Sequence, residues 1–382
     1  MWHFLHHPLH YTPHARELRH LFWSDGIASI GVALVQLLVP AYLLTLGYSL
    51  PEVCLFFVIM YGGMIPMSYV TARLLERVSP NVLMGVGGLL AIFSYVTLLL
   101  LSVTDLPLWL PAAIRAVDKG LYYVPFHLSF SKSRKRSKGD SQVGLMKTLN
   151  ILAYGVTPAI GGIVASLFGI AWVYGIAAGM FLVAAIIIIN GPDVAKHRRL
   201  NPRLLSRRVI RDVVANGMGS SLEAVSTVVW PLIIFLLVDS YAGVGILSSV
   251  IVLTSAATAF WIGRRADRHG ERQYLRRGSW LASVTNGLRL LAASTTHVFG
   301  INLLGGISGA LLSTTFVSRY YKHADREPRL EYIWAMETGH VVGWTVSMTI
   351  LFVLALTLPM KEALTAFLLL AVPLGFGIRL IR

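Results

Sequence analysis

The stretch Ile170-Ala-Trp-Val-Tyr-Gly-Ile-Ala-Ala-Gly-Met-Phe-Leu-Val-Ala-Ala-Ile-Ile-Ile-Ile189 contains no charged side chain. A helix of about 20 such residues crosses the roughly 30 Å hydrocarbon core of a bilayer. Comparable apolar runs lie on both sides of it, near 20–46, 51–74, 81–103, 107–130 and 141–167, then 208–238, 242–263, 272–294, 297–319, 331–358 and 361–380. Glycine, proline and charged residues punctuate them. The pattern predicts an all-α membrane protein of about twelve transmembrane helices. The expected divisions are a tail at 1–18, a first bundle at 19–190, a basic linker at 191–207 and a second bundle at 208–382.

Composition agrees. Only 13% of the residues are charged, where a soluble chain carries about a quarter. The net charge of +15 would suggest nucleic acid in a soluble protein, but the basic residues sit in short loops between apolar runs. There they answer to the positive-inside rule and to anionic head groups, so nucleic acid is excluded as a partner. Hairpins near 47–52, 102–106, 167–169, 239–243 and 295–299 hold no Lys or Arg, and the last hairpin holds Lys361 alone. The loops on the other side are basic throughout, as in Lys132 to Lys138 and Arg264 to Arg277. This asymmetry predicts cytoplasmic termini, and the expected setting is the bacterial inner membrane, as a monomer. Cys54 is the single cysteine, which leaves no intramolecular disulfide. The start of the chain is His-rich (His3, His6, His7, His10 and His14) and reads as a solvated tail, neither a cleaved signal nor a metal site.

A constant offset carries Asp25-Gly26 onto Asn216-Gly217, Ser29 onto Ser220 and Pro40 onto Pro231. The same offset carries Ala72 onto Gly263, Glu76 onto Asp267 and Arg77 onto Arg268. Two duplicated halves related by an axis along the membrane normal form a transporter plan with its site between the halves.

The loop after the eighth expected span reads Gly263-Arg-Arg-Ala-Asp267-Arg268-His-Gly270-Glu-Arg272. It is similar to the signature loop G-x-x-x-D-[RK]-x-G-x-[RK] of the major facilitator superfamily. The resemblance implies two pseudo-symmetric six-helix bundles and a cytoplasmic latch at this loop, with Asp267 taking hydrogen bonds from a neighbouring helix start near Asp140 and Ser141. The first-half copy, Ala72-Arg-Leu-Leu-Glu76-Arg77-Val-Ser79, lacks both glycines. The fifth span, Gly155-Val-Thr-Pro158-Ala-Ile-Gly161-Gly162, resembles the G-P-x-x-G-G of the family's exchangers, with Thr157 before the proline. Small residues there let two helices approach closely, either as ordinary tight packing or to close the outer side against leak as the resemblance to the exchangers implies. In the fourth span the family often has R-x-x-x-G; here Gly120 follows Arg115 one place late.

Ionisable residues within spans are costly and normally face a cavity. Asp25, Asp118, Glu223 and Glu337 are the acids so placed, and Arg115, Lys119, Lys147 and Arg289 the bases. Arg115, Asp118, Lys119 and Tyr122 share one helical face, so Arg115 and Asp118 can pair. That pair is either structural or a point where substrate or proton competes. Glu223 has no basic neighbour on its own helix and is the first candidate for a proton carrier. Glu337 and His340, one helical turn apart, are the second, and Asp118 the third. His127 is expected at the interface. Asp25, Gln36, Arg115, Lys119, Tyr122, Lys147, Asn150, Tyr154 and Trp230 are the candidates for lining a substrate cavity.

No phosphate-binding G-x-x-x-x-G-K-[ST] loop occurs, and no catalytic or metal constellation stands out, so neither an ATP-driven pump nor an enzyme is expected, and no cofactor. The leading expectation is a secondary transporter that exchanges protons for an exported amphipathic small molecule. Its close rival is a proton symporter for uptake of a sugar, amino acid or organic anion. A non-transporting sensor or assembly factor with the same fold is the third reading.

Overall fold

The computed structural model describes the backbone of residues 13–133, 139–193, 199–263 and 271–381, with side chains over 16–133, 154–193, 199–259 and 273–381. The described residues are helical, joined by short turns. In chain order the helices are α1 (Pro13–Val35), α2 (Val39–Thr45), α3 (Leu50–Leu74), α4 (Pro80–Leu100), α5 (Trp109–Ser133), α6 (Gly139–Phe168) and α7 (Ile170–Ile189). After the linker come α8 (Arg207–Ala224), α9 (Trp230–Val238), α10 (Tyr241–Gly263), α11 (Glu271–Arg289), α12 (Thr295–Ala324), α13 (Arg329–Thr357), α14 (Met360–Ala371) and α15 (Leu374–Gly377).

Local chemistry sets several boundaries. Ser49 opens α3 with a capping box: its backbone N–H and its hydroxyl both donate to Glu52, at 2.8 and 2.6 Å. Ser294 opens α12 by accepting from the His297 N–H at 3.2 Å. Gly169 turns the chain between α6 and α7 at a φ of +91°, a conformation that L side chains resist.

The prolines that the offset superposes have parallel effects. Pro40 follows an interruption at residues 36–38 between α1 and α2, and Pro231 follows a π-helical turn at Val225–Val229 between α8 and α9. A proline ring removes one backbone bond and crowds the carbonyl four residues earlier, which here means Gln36 and Thr227.

Nine helical segments among the described residues are long and apolar enough to cross a membrane; α1 with α2, and α8 with α9, each count as one. Large apolar side chains face outward on them, among them Phe93, Trp172, Leu182, Ile186 and Leu356, an exposure that suits lipid and not water. The protein is therefore an integral, multi-pass membrane protein. The other three expected spans correspond to α5, α6 and α11. α5 carries Arg115, Asp118 and Lys119, and α11 carries Arg276, Arg277 and Arg289, which lower their apolar character. In α6 the described side chains leave the shorter apolar stretch Tyr154–Phe168.

The two parts of the chain meet along two seams. In one, α6 lies against α10. A Cβ on Gly162 would come within 2.3 Å of the Tyr241 carbonyl, and one on Gly245 within 2.2 Å of the Pro158 carbonyl. Ser249 and Ser166 then reach across to accept from the Ala159 and Ala242 N–H groups at 3.1 and 3.0 Å. In the other, α3 lies against α13, with Tyr61 stacked on Trp344 at 4.2 Å between ring centres and the Ser68 and Thr338 hydroxyls 3.1 Å apart.

Candidate functional site

Two adjoining hollows lie between these seams. The smaller, about 190 Å³, is lined by Asp25, Ser29, Arg115, Asp118, Lys119 and Tyr154 among others. The larger, about 580 Å³, is lined by Asn216, Glu223, Ser226, Arg289, Glu337 and His340 among others. Tyr123, His127 and Val317 line both, so the hollows share a wall. Asp25, Asp118, Glu223 and Glu337 all border this chamber.

α5 lines more of the first hollow than any other helix. Its helical repeat puts Arg115, Asp118, Lys119 and Tyr122 on one stripe. The Arg115 guanidinium donates to Asp118 Oδ2 at 2.9 Å and to the Tyr95 hydroxyl at 2.9 Å, and both charged side chains are buried. Lys119 Nζ reaches the Tyr123 hydroxyl at 3.5 Å. From α1, Asp25 accepts from the Tyr122 hydroxyl at 3.1 Å. A cation at i and an acid at i+3 make the Arg115–Asp118 pair legible in sequence; the Tyr95 and Asp25 contacts cross between helices.

In the second hollow the pairings run across helices. Glu337 and His340, adjacent on α13, each face another helix. Glu337 Oε1 lies 3.4 Å from His127 Nε2 of α5 and accepts from the Tyr320 hydroxyl at 3.4 Å. His340 Nε2 lies 3.7 Å from Glu223 Oε2 of α8. Glu223 is thus neither alone nor buried, since its side chain is 49% exposed, toward the chamber. His127, expected at the interface, instead bridges the hollows, with Nδ1 2.6 Å from the Tyr321 hydroxyl.

Other expectations fare differently. Trp230 is fully buried and its indole N–H donates to Asn302 at 2.7 Å, so it packs and does not line the chamber. Gln36 sits half-buried at the interruption before α2, outside both linings. Gly161 and Gly162 lie at close helix approaches, Gly161 against Leu34 of α1 and Gly162 against Tyr241, while Gly155 has an ordinary contact with Leu253. Lys147, Asn150, Gly263 and Arg272 fall where only backbone is described, and Asp267, Arg268 and Gly270 lie outside the described residues. Of the first-half latch copy, Arg77 is exposed, and Glu76 is held by Arg73 at 2.9 Å. That hydrogen bond, with a nearby positive Arg199 and the Leu200 backbone, holds the Glu76 carboxyl below its ordinary range.

No family model matches the sequence, and no curated protein matches it. Among solved structures, the chain is similar to a bacterial homologue of the iron transporter ferroportin, crystallised in an outward-facing state with soaked iron. The match has a TM-score of 0.67 at 14% identity and covers 95% of this chain and 98% of that one. The chain has the major facilitator fold. At this identity the likeness speaks for the fold alone, so any activity of a protein with the major facilitator fold must be argued from its own chamber.

The residue that sequence reasoning passed over in this chamber is Arg289. It was legible as a cation inside a span with no acid three or four residues away on its own helix, but nothing in the sequence tells whether another helix brings one to it.

Proposed function

We propose that this protein is a secondary active transporter working by alternating access, and that it couples proton entry to export of an amphipathic small molecule. The observation that carries the reading is the lining of the two adjoining hollows. Four carboxyl groups, two of them next to imidazoles, share a chamber drawn from both parts of the chain. Carboxyl and imidazole groups are the side chains able to exchange protons near neutral pH once burial and neighbours tune them. A solute entering between them changes their surroundings and so couples its own movement to theirs.

The proposal includes about twelve spans in two halves, 19–190 and 208–382, that rock against each other. α5, α6 and α11 then serve as spans as well: on α5 and α11 the charges Arg115, Asp118, Lys119 and Arg289 border the chamber, while Arg276 and Arg277 are exposed near the start of α11. Both termini are taken to be cytoplasmic, in a bacterial inner membrane. The structural neighbour's soaked iron raises metal as an alternative cargo. Among the described residues no three His, Cys, Asp or Glu side chains gather into a metal-holding group, which favours an organic solute.

The test is flux into proteoliposomes holding a trapped pH dye, challenged with organic anions, sugars, amino acids and amphipathic dyes under a pH gradient of either sign. Solute-dependent proton movement that disappears in Glu223→Gln and Asp118→Asn supports the reading, and the sign of the productive gradient separates export from uptake. Proton and solute fluxes no greater than in empty vesicles would overturn it in favour of a sensor or assembly role.

A further inference from the structure

We infer that Arg289 is an anion-binding point of the chamber, placed to hold the carboxylate or phosphate group of a small organic solute. The inference rests on the transporter reading for its biological sense, but not for its geometry. Arg289 closes the last turn of α11, beside the hairpin that holds no Lys or Arg, and borders the larger hollow. It is 5% exposed. Its two terminal nitrogens donate to neutral groups, Asn286 Oδ1 at 3.0 Å and Ser226 Oγ at 3.2 Å, and its Nε has no partner among the described residues.

No carboxylate among the described residues pairs with it. The contrast with Arg115 is direct: an equally buried guanidinium on α5 meets Asp118 at 2.9 Å. A guanidinium stays charged in proteins and is costly to leave uncompensated away from water. The chamber's acids do not meet this need, since Glu337 and Glu223 lie against His127 and His340.

The surroundings also fix where the fork points. The guanidinium lies over the Trp230 ring, 5.1 Å from its centre, and cation–π attraction holds it there. The indole is itself fixed by Asn302, whose amide donates to the Leu247 carbonyl at 2.6 Å. On the facing helix Gly305 lies beside the guanidinium, where a Cβ would make an ordinary contact with an Arg289 terminal nitrogen at 3.9 Å. A planar oxyanion matches a planar fork of N–H donors better than any neutral group does. The larger hollow therefore has a cationic pole at Arg289 and two acid–imidazole pairs elsewhere, with Ile251, Leu312 and Phe316 providing apolar wall between polar groups. That arrangement suits a small solute with one oxyanion and an apolar body.

The test is ligand-dependent thermal unfolding of the purified full chain in detergent, which needs no flux. Succinate and inorganic phosphate are titrated separately against dimethyl succinate and sodium chloride at matched ionic strength. We expect a saturable rise in Tm with one or both anions and none with the ester or chloride; the anion that acts at lower concentration names the group. Arg289→Gln should weaken the response about tenfold or more. Ser226→Asp should raise Tm and abolish the response, because the tethered carboxylate occupies the fork. If Arg289→Gln does not fold, Ser226→Asp decides alone. Anions that stabilise the wild type and either variant equally, or that leave the wild type unmoved, overturn the inference. Arg289-dependent binding with no flux in vesicles would sink transport and keep the subsite; flux with no Arg289-dependent response would do the reverse.

Discussion

His127 Nε2 of α5 lies 3.4 Å from Glu337 Oε1 of α13, so an imidazole from the first part of the chain meets a carboxyl from the second. Tyr320 donates to the same carboxyl oxygen and Tyr321 meets the other nitrogen of the ring. A contact of this kind has two states of very different strength. With the imidazole protonated and the carboxyl ionised it is a charge-assisted bridge; with the two neutral it is an ordinary hydrogen bond. If the two parts of the chain separate during transport, this bridge must break, and its protonation then enters the energetics of the step.

Glu337→Gln keeps the shape and the hydrogen-bonding capacity of the side chain but holds no exchangeable charge. We expect it to reduce solute accumulation driven by a pH gradient to the level of empty vesicles, while solute counterflow without a gradient continues. Loss of both together would make Glu337 a structural member of the seam and not a coupling group.

The Arg115–Asp118 pair leads to a different expectation, because both partners are buried and tied to each other. Removing one partner of such a pair leaves an uncompensated charge and costs about 3–5 kcal/mol in soluble proteins, whereas replacing both can be close to neutral. Asp118→Asn and Arg115→Gln should each lower Tm clearly. The double variant should lie above the sum of the two losses in a mutant cycle. Additive losses would mean that Tyr95, and not Asp118, is what Arg115 depends on.

Why some of this was legible in sequence and some was not follows from the range of the interactions. Apolar runs such as 170–189 report their solvent residue by residue, so the spans needed no tertiary information. The Arg115–Asp118 pair was visible because helical geometry fixes neighbours three residues apart. His127–Glu337 and Glu223–His340 were not visible, since each depends on which helices adjoin. The same limit misplaced Trp230: an indole inside a span reads alike whether it borders a cavity or, as here, is locked on Asn302. The breaks before Pro40 and Pro231 were half legible; the prolines were, but the change to a π-helical turn at Val225–Val229 was not.

Glu76 gives a pH dependence outside the spans. Its carboxyl is held below the ordinary value of 4.5, chiefly by the hydrogen bond from Arg73. A depressed carboxyl contributes stability that is fully present above its ordinary value and is lost as pH falls through its lowered one. Wild type should therefore unfold at a slightly higher temperature than Glu76→Gln at pH 7, and the gap should close in acid. Because the pair is partly open to solvent, added salt should shrink the gap at neutral pH. A gap that persists below the lowered value would show that the glutamine change acts by packing or by the Leu200 contact, not by charge.

Packing at the α6–α10 seam gives the last expectation. A Cβ on Gly162 would lie 2.3 Å from the Tyr241 carbonyl oxygen, closer than any relaxed contact, and the atom it meets is backbone, which cannot swing aside. Gly162→Ala must push α10 away, and overpacking of this kind costs about 1–3 kcal/mol. Gly155→Ala, on the same helix, meets only the Leu253 side chain at 3.4 Å and should be tolerated, as should Gly175→Ala, with nothing within 4 Å. The three variants therefore separate a general effect of removing helix glycines from one of forcing the seam apart. Because Gly162 lies at the end where the hairpins carry no Lys or Arg, a wedge there should also raise solute leak in vesicles without a gradient. A Gly162→Ala protein with wild-type Tm and no added leak would show that the two helices do not stay in contact at this point.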